Sequence, residues 1–301
     1  DKVGTLPPGR LIFAGMTTLD LVHKVERLPR LGGKTAADAS YFDVGGPAAN
    51  AAITASILGA DVTLASVLGD GPLPDYARGV LAAHGVGIDD RAGAGAQPPV
   101  ASIWVNGSGE RTILSTDNTK VEVALGAKHL VPDDTAAVLI DGHYPAIART
   151  VAAEAGAAGI PIVLDCGRWR AVYAELLPLA TDIIMCATFR PPDMVALAAE
   201  ETVTAIYERW RPELCAVTRG ANDVIAITDR GSTTIPVSQV RAIDTMGAGD
   251  VLHGGYMYGR YCAGSVPVAA LREAVALASR SCEYPGARRG VEQAAQTRLR
   301  G

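Results

Sequence analysis

The sequence predicts an α/β fold in three layers: a mostly parallel central sheet with helices on both faces, plus a small separate β-layer. Two observations carry this. From about residue 130, apolar strand-like runs alternate with helix-like runs, and strands apolar on both sides need a helix on each face. In the first third, extended stretches of alternating polarity fit poorly into such a sheet. A chain of 301 residues can close one large α/β domain or two smaller ones.

The elements follow in order. Arg10 to Gly15 reads as a strand, Leu19 to Leu28 alternates, and Thr35 to Val44 is extended. Ala48 to Leu58 is a small-residue helix that stops at Gly59. Val100 to Val105 and Arg111 to Leu114 flank Asn106-Gly-Ser-Gly109, a hairpin signal. Residues 17–46 and 98–118 are therefore expected to form a β-layer, inserted in two pieces, that covers the site. Ala136 to Asp141 is a buried strand. Pro145 to Gly159 is a helix by its Pro start and Gly stop. Strands at Ile160–Asp165, Asp182–Cys186 and Leu214–Thr218 continue the series, with a helical stretch from about Pro192. Ligands of such sheets sit beyond the C-terminal strand ends, where Asp141, Asp165 and Thr218 fall. A short β-type run, Gln239 to Ile243, is expected just before residue 244. Val251 to Cys262 reads as a buried helix.

Composition narrows the partners. Hydrophobic residues make up 49% and the formal charge is −5. Acids and bases are interspersed with no basic stripe, which argues against nucleic acid. No apolar run of about 18 residues suggests a membrane span, and no signal-peptide pattern is seen. Five cysteines without a CxxC pair fit a reducing cytoplasm. Cys166, Cys186 and Cys215 are expected as core thiols.

The chemistry concentrates in Asp244-Thr-Met-Gly-Ala-Gly-Asp250. The amides of Gly247, Ala248 and Gly249 can converge on one point at the positive end of a helix dipole. Asp250 stands beside that anion hole. This pairing suits phosphoryl transfer to a hydroxyl, with the amides holding phosphoryl charge and the carboxylate taking the proton. Read alone, a GxG followed by Asp fits a Gly-rich helix cap with a first-turn acid better, because such patterns are short. A second Gly turn, Val44-Gly-Gly-Pro-Ala-Ala-Asn50, also enters a helix. Gly46 could let a sugar approach the backbone while Asn50 binds its hydroxyls; alone, it equally fits a tight turn with a polar helix start.

Together these residues resemble the ribokinase, or phosphofructokinase-B, family of carbohydrate kinases. The heptad ending at Asp250 resembles its C-terminal signature. The GG turn, the Asn50 helix, Leu58-Gly59-Ala60 and Leu68-Gly69-Asp70 resemble its N-terminal one. The resemblance spans nearly the whole chain and implies one ribokinase-like domain over residues 1–301 with a β-lid. It implies ATP-dependent phosphorylation of a sugar hydroxyl, of fructose, ribose or sulfofructose type. A nucleoside kinase, or a non-catalytic sugar- or nucleotide-binding relative, is the alternative. Asp250 would be the base, and Asp20, Gly46, Asn50 and Arg111 would hold the sugar. Thr218 and Gly220, with Gly247 and Gly249, would hold the nucleotide. Asp244 would orient the loop and Mg²⁺-bound water. K⁺ is a further expected cofactor, and a homodimer through the lid the expected assembly.

The chain departs from the family pattern at three points. Asp223 stands where a second nucleotide-loop Gly is usual. Cys186-Ala-Thr-Phe-Arg190 replaces an Asn-x-x-Glu element. His143 stands where sulfofructose kinases are expected to carry Arg. Tyr284 to Gly290 resembles a Pro-Gly-Gly-Arg-x-Gly turn, so Arg111 and Arg288 are the two cations expected near the site.

Overall fold

The inner strands of the central sheet feed two hydrophobic cores by alternation. In the computed structural model, which describes residues 9–107, 111–116 and 121–298, the first strand is β1 (Arg10–Ala14). Its Leu11 and Phe13 enter one core, while Ile12 and Ala14 enter the other. Successive side chains of a strand point to opposite faces, so a continuous apolar run here means cover on both sides.

Among the described residues, thirteen strands and eight helices are laid down in chain order. After β1 come β2 (Thr18–Lys24), β3 (Ala39–Gly45), α1 (Pro47–Ile57), β4 (Val62–Ser66), α2 (Pro72–Ala83) and β5 (Val86–Asp90). Then follow β6 (Val100–Val105), β7 (Arg111–Ser115), β8 (Thr135–Ile140), α3 (Pro145–Ala158), β9 (Ile162–Cys166) and the single turn α4 (Tyr173–Leu176). The chain closes with β10 (Asp182–Cys186), α5 (Ala199–Trp210), β11 (Leu214–Arg219), β12 (Asn222–Thr228), β13 (Gly231–Ile235), α6 (Ala248–Tyr261), α7 (Pro267–Ser281) and α8 (Ala287–Arg298).

Nine strands make the central sheet in the order β13-β12-β11-β10-β9-β8-β1-β4-β5. It is parallel from β5 to β11, and β12 and β13 add antiparallel at one edge. Helices α1, α2, α6 and α7 fill one core; α3, α4 and α5 fill the other. The expected sandwich is therefore present. Burying each Val, Leu or Ile of these strands stabilises the fold by about 1.5–3 kcal/mol.

The second sheet holds four strands in the order β3-β2-β6-β7. It is built from the two expected segments, with β2 and β6 parallel and its other pairs antiparallel. Parts of the expected turn and lid, residues 108–110 and 117–118, lie outside the described residues.

Two expectations change. Gln239–Ile243 is not a strand: these residues are irregular, and Ile243 is 61% exposed. The run alternates, but no neighbouring strand pairs with it; its end is held by Ile243 N donating to Cys282 O at 2.7 Å. The heptad therefore follows a loop rather than a strand. Cys166 and Cys215 are core thiols, but Cys186 is only half-buried, its Sγ 2.7 Å from Gly167 O.

Helix α6 crosses α1 at a point with no room for a side chain. A Cβ on Gly254 would stand 2.3 Å from Ala51 O and 2.6 Å from Thr54 Cβ. A glycine inside a helix costs about 1 kcal/mol against alanine, so close approach is its physical reason. The alanines of α1 (Ala48, Ala49, Ala51, Ala52), all buried, complete the contact. One turn earlier on each helix stand Asn50 and Asp250.

Candidate active site

The site begins at the end of β1. A Cβ on Gly15 would fall 2.0 Å from Asp141 Oδ1. The absence of one lets the buried Asp141 carboxylate sit against the chain. It accepts hydrogen bonds from Met16 N (2.8 Å), Ala48 N (3.2 Å) and His143 N (2.9 Å). Ala48 N is one of the amides that a helix start leaves unpaired, so Asp141 fixes where α1 begins. Burial alone would raise its carboxyl; the His143 ring and the donated N–H groups outweigh burial and hold it below the ordinary range.

Gly45 and Gly46 are needed for contacts within the protein. A Cβ on Gly45 would lie 2.1 Å from Asp20 Oδ2, and one on Gly46 would lie 2.3 Å from Met16 O. Gly46 has φ 98°, a conformation that disfavours side chains. The direction that a Gly46 side chain would take is thus filled by Met16. Asp20, on β2, is half-buried and accepts from Thr18 Oγ1 at 2.7 Å. Burial raises its carboxyl, against the Thr18 hydrogen bond and the Arg288 charge.

Gly247 caps α6 in the left-handed region (φ 72°, ψ 6°). Among the described residues, the amides of Gly247, Gly249 and Asp250 meet no acceptor, and Ala248 N reaches Thr245 O only at 3.4 Å. Space is open beside Gly249. Unpaired amides at a helix start form an anion-binding point. Asn50 Nδ2 donates to Asp250 Oδ2 at 2.8 Å, joining residues 200 positions apart. The Asp250 carboxyl is pushed well up, first by burial and then by Asp165; Asn50 opposes, while Asp141 and Asp20 add to the rise. Such a carboxylate is a stronger proton acceptor than a solvated one.

Asp244 holds the preceding loop. Its Oδ1 accepts from Met246 N (2.8 Å) and its Oδ2 from Gly286 N (3.0 Å). Arg111 of β7 comes down to this loop, 2.5 Å from Thr245 Oγ1 and 3.6 Å from Asp244 Oδ1. Met246 packs under Val22, Ala101 and Ile103 of the lid. Arg288 pairs closely with Asp43 and donates to Val44 O at 2.9 Å. Both expected arginines thus reach the lid end, and each faces a carboxylate.

The nucleotide side was expected at Thr218 and Gly220. Thr218 stands near the end of β11, and Gly220 (φ 64°) makes the tight turn into β12 with open space around it. Asp223, where a second glycine was expected, binds the returning chain: its Oδ1 accepts from Val237 N at 3.1 Å. Arg190 turns away, donating to Leu197 O (3.0 Å) and Phe189 O (2.8 Å). No group of three or more metal-ligating side chains occurs among the described residues.

Residues that sequence reasoning passed over stand behind the site. Arg170 meets His143 Nε2 closely, and His253 lies 3.6 Å from Asp165 Oδ1. The strand ends had pointed to Asp141 and Asp165, but not to their partners. The position of His253, four residues after Gly249, was the available signal.

Similarity to known proteins agrees with this geometry. Residues 10–294 match the model of the pfkB family carbohydrate kinases. A relative from Halopiger xanaduensis, an ATP-dependent ribose-1-phosphate kinase, is 28% identical over 254 residues, covering 82% of this chain and 83% of the relative. Thermotoga maritima ribokinase superposes with TM-score 0.76 at 18% identity, covering 97% of this chain and 100% of that one. Arabidopsis thaliana ribokinase, solved with ribose and ATP, does so with TM-score 0.75 at 18% identity, covering 98% and 100%. The chain belongs to the pfkB family of carbohydrate kinases and is an ATP-dependent sugar kinase.

Proposed function

We propose that this kinase transfers the γ-phosphoryl group of ATP to a hydroxyl of a ribose-type sugar, with Asp250 as general base. The observation that carries this reading is the Asn50–Asp250 contact beside unpaired helix amides. It brings the sugar-binding helix, the base and the anion hole to one point. Asp20 and Asn50 bind sugar hydroxyls, over a floor whose course Gly46 allows. Asp250 takes the hydroxyl proton as the oxygen attacks phosphorus and ADP leaves. The amides of Gly247, Ala248 and Gly249, with that of Asp250, hold charge on the transferring oxygens. Thr218 and Gly220 border the nucleotide.

Magnesium bound to ATP supplies charge neutralisation at the phosphates. Both Asp244 oxygens are already taken by amides, which suits an outer role through water better than direct ligation. Potassium dependence is read by exchanging K⁺ for Na⁺ in the same assay. A homodimer through the lid is supported by its outer face. Leu21 pairs with both Phe42 and Ser102, and Ser102 pairs with Leu114, so these residues share one face. Phe42 is 48% and Leu114 76% exposed.

The relative named as a ribose-1-phosphate kinase makes a phosphorylated ribose the first substrate to try. Arg288, beside Asp20, is the cation placed to meet such a group, in exchange for its pair with Asp43. The test is ATP turnover over ribose, ribose 1-phosphate, fructose, fructose 6-phosphate, sulfofructose and nucleosides. Preference for a ribose-type sugar supports the reading; turnover confined to ketoses or nucleosides overturns its substrate.

A further inference from the structure

The ends of β8 and β9 carry a guanidinium with no carboxylate partner. Arg170, four residues past β9, donates from Nη1 to Arg168 O at 3.3 Å and from Nη2 closely to His143 Nε2. A guanidinium has five N–H donors, so three are left without an acceptor among the described residues. The other arginines around the site are engaged. Arg111 faces Asp244, Arg288 pairs with Asp43, and Arg190 is turned onto the carbonyls of Phe189 and Leu197. Arg170 is only partly exposed. Its charge opposes the rise that burial imposes on Asp165 and Cys166, so the guanidinium lies over the strand ends.

The chain fixes this arginine from both sides. Tyr173 N donates to Arg170 O at 3.0 Å, and the Trp169 ring packs on Tyr173 and Phe189. The Tyr173 hydroxyl lies 2.7 Å from Asp141 O and 2.5 Å from Asp165 O, tying the ends of β8 and β9 together. His143 stands between two left-handed residues, Gly142 (φ 70°) and Tyr144 (φ 51°). Its N–H donates to Asp141 Oδ1 at 2.9 Å. A left-handed residue other than glycine persists only where its surroundings impose it, and such positions gather at functional sites. The imidazole that holds Arg170 is therefore itself held, and a guanidinium fixed in advance loses little freedom on binding a ligand.

Charge points to what it binds. Asp250 is raised by Asp165, Asp141 and Asp20 together, so carboxylates crowd the site and repel an anionic sugar. ATP brings its own magnesium; a sugar phosphate brings none and needs a cation from the protein. Arg170 leans from β9 towards β8, the neighbour of β1. Asp141 at the end of β8 fixes the start of α1, which carries Asn50. Thr218 and Gly220, at the end of β11, are three strands from β8, roughly 14 Å at about 4.8 Å per strand. The arginine thus belongs to the sugar side.

We propose that Arg170, held by His143, is a specificity-determining residue that binds the phosphate group of a phosphorylated sugar through its unused N–H donors. This rests on the kinase reading of the site and deepens it. Arg288 can join Arg170 only by leaving Asp43, whereas Arg170 gives up no carboxylate.

Two measurements test the assignment. In the full-length protein labelled with ¹⁵N-arginine, the Arg170 Nε–H resonance is identified by its absence in Arg170→Lys. It should shift on adding ribose 1-phosphate or fructose 6-phosphate and stay in place with ribose or fructose. By calorimetry, Arg170→Gln should weaken binding of the phosphorylated sugar by roughly 10- to 100-fold and leave free sugar and magnesium-ATP unchanged. Arg170→Lys, which keeps a charge but not the fork, should recover part of the loss. No shift with either sugar phosphate overturns the proposal even if the variants do not fold. A shift with magnesium-ATP alone assigns Arg170 to the nucleotide and also overturns it. So does equal weakening for free and phosphorylated sugar with a lower melting temperature, the pattern of a structural counter-charge to Asp165. Unchanged turnover of a sugar phosphate by Arg170→Gln overturns this inference alone. A phosphate-dependent shift in a protein that phosphorylates no sugar supports the phosphate contact and overturns the kinase reading.

Discussion

The α1–α6 floor and the four-stranded lid meet around Asp20, Asn50 and Asp250, and they are held by different forces. The floor is close-packed. Gly254 lies against Ala51 and Thr54, and Tyr256 and Met257 of α6 are fully buried. The lid has a small core of Val22, Ala101 and Ile103. It is fastened to the body by Leu19 and Val44, which enter the main core, and by polar contacts at its ends: Arg111 with Asp244 and Thr245, and Arg288 with Asp43 and Val44 O. A close-packed interior fixes atoms against one another and tolerates little volume change. Ion pairs that stay partly solvated bind weakly and can exchange partners. The proposed base and anion hole therefore sit on the more rigid part, and the proposed sugar site is covered by the more yielding one.

Changes in the floor should cost most. Gly254→Ala places a methyl group 2.3 Å from Ala51 O. Although alanine is about 1 kcal/mol better inside a helix, the overlap should cost about 3 kcal/mol net. It should also separate Asn50 from Asp250. Denaturant unfolding and kcat should both fall; unchanged stability would mean that the two helices are not in register-setting contact.

The far end of α6 makes a pH-dependent prediction. Asp182 is fully buried and accepts from Tyr261 Oη at 2.6 Å. Burial pushes its carboxyl from 3.8 up to about 6, against that hydrogen bond. The folded form thus holds the proton more tightly than the unfolded chain. Its contribution to stability is full below about pH 4 and is lost as pH rises through about 6, by about 3 kcal/mol. Asn cannot ionise, so the stability difference between Asp182→Asn and wild type should shift by that amount over this range. A constant difference from pH 4 to pH 7 would contradict the anchoring of α6 on a protonated Asp182.

Lid substitutions should be milder and selective. Asp20→Ala should weaken sugar binding by about 1–3 kcal/mol and leave ATP binding alone; equal loss for both ligands would make Asp20 structural. Arg111→Ala should change stability by less than about 1 kcal/mol, since its pair with Asp244 is partly solvated. Its effect should appear in the sugar KM. A large fall in melting temperature would show that the lid is held as firmly as the floor.

Much of this contrast was legible in the sequence. Strand-helix alternation gave the central sheet, because a buried strand must be apolar on both sides. The two Gly turns located both helix starts. What periodicity could not carry was contact between distant residues. Gln239–Ile243 alternates like a strand, yet strand formation needs a neighbour to accept its hydrogen bonds, and none is there. Arg288 was expected near the substrate, but its pair with Asp43 depends on α8 packing against α1 and α7, which brings its side chain to β3. His253 looked like one more residue of a buried helix; its contacts with Ile184 and Asp165 join it to residues 69 and 88 positions earlier in the chain.

The close-packed floor is proposed to hold the base of the sugar kinase, Asp250. The most direct measurement compares wild type with Asp250→Asn, following ADP formation with ribose or ribose 1-phosphate and ATP binding by calorimetry. Loss of a general base should lower kcat by ~10²–10⁴-fold while ATP affinity and melting temperature stay near those of wild type. A near-wild-type kcat in Asp250→Asn would remove Asp250 from the mechanism and, with it, the assignment of the floor as the catalytic part.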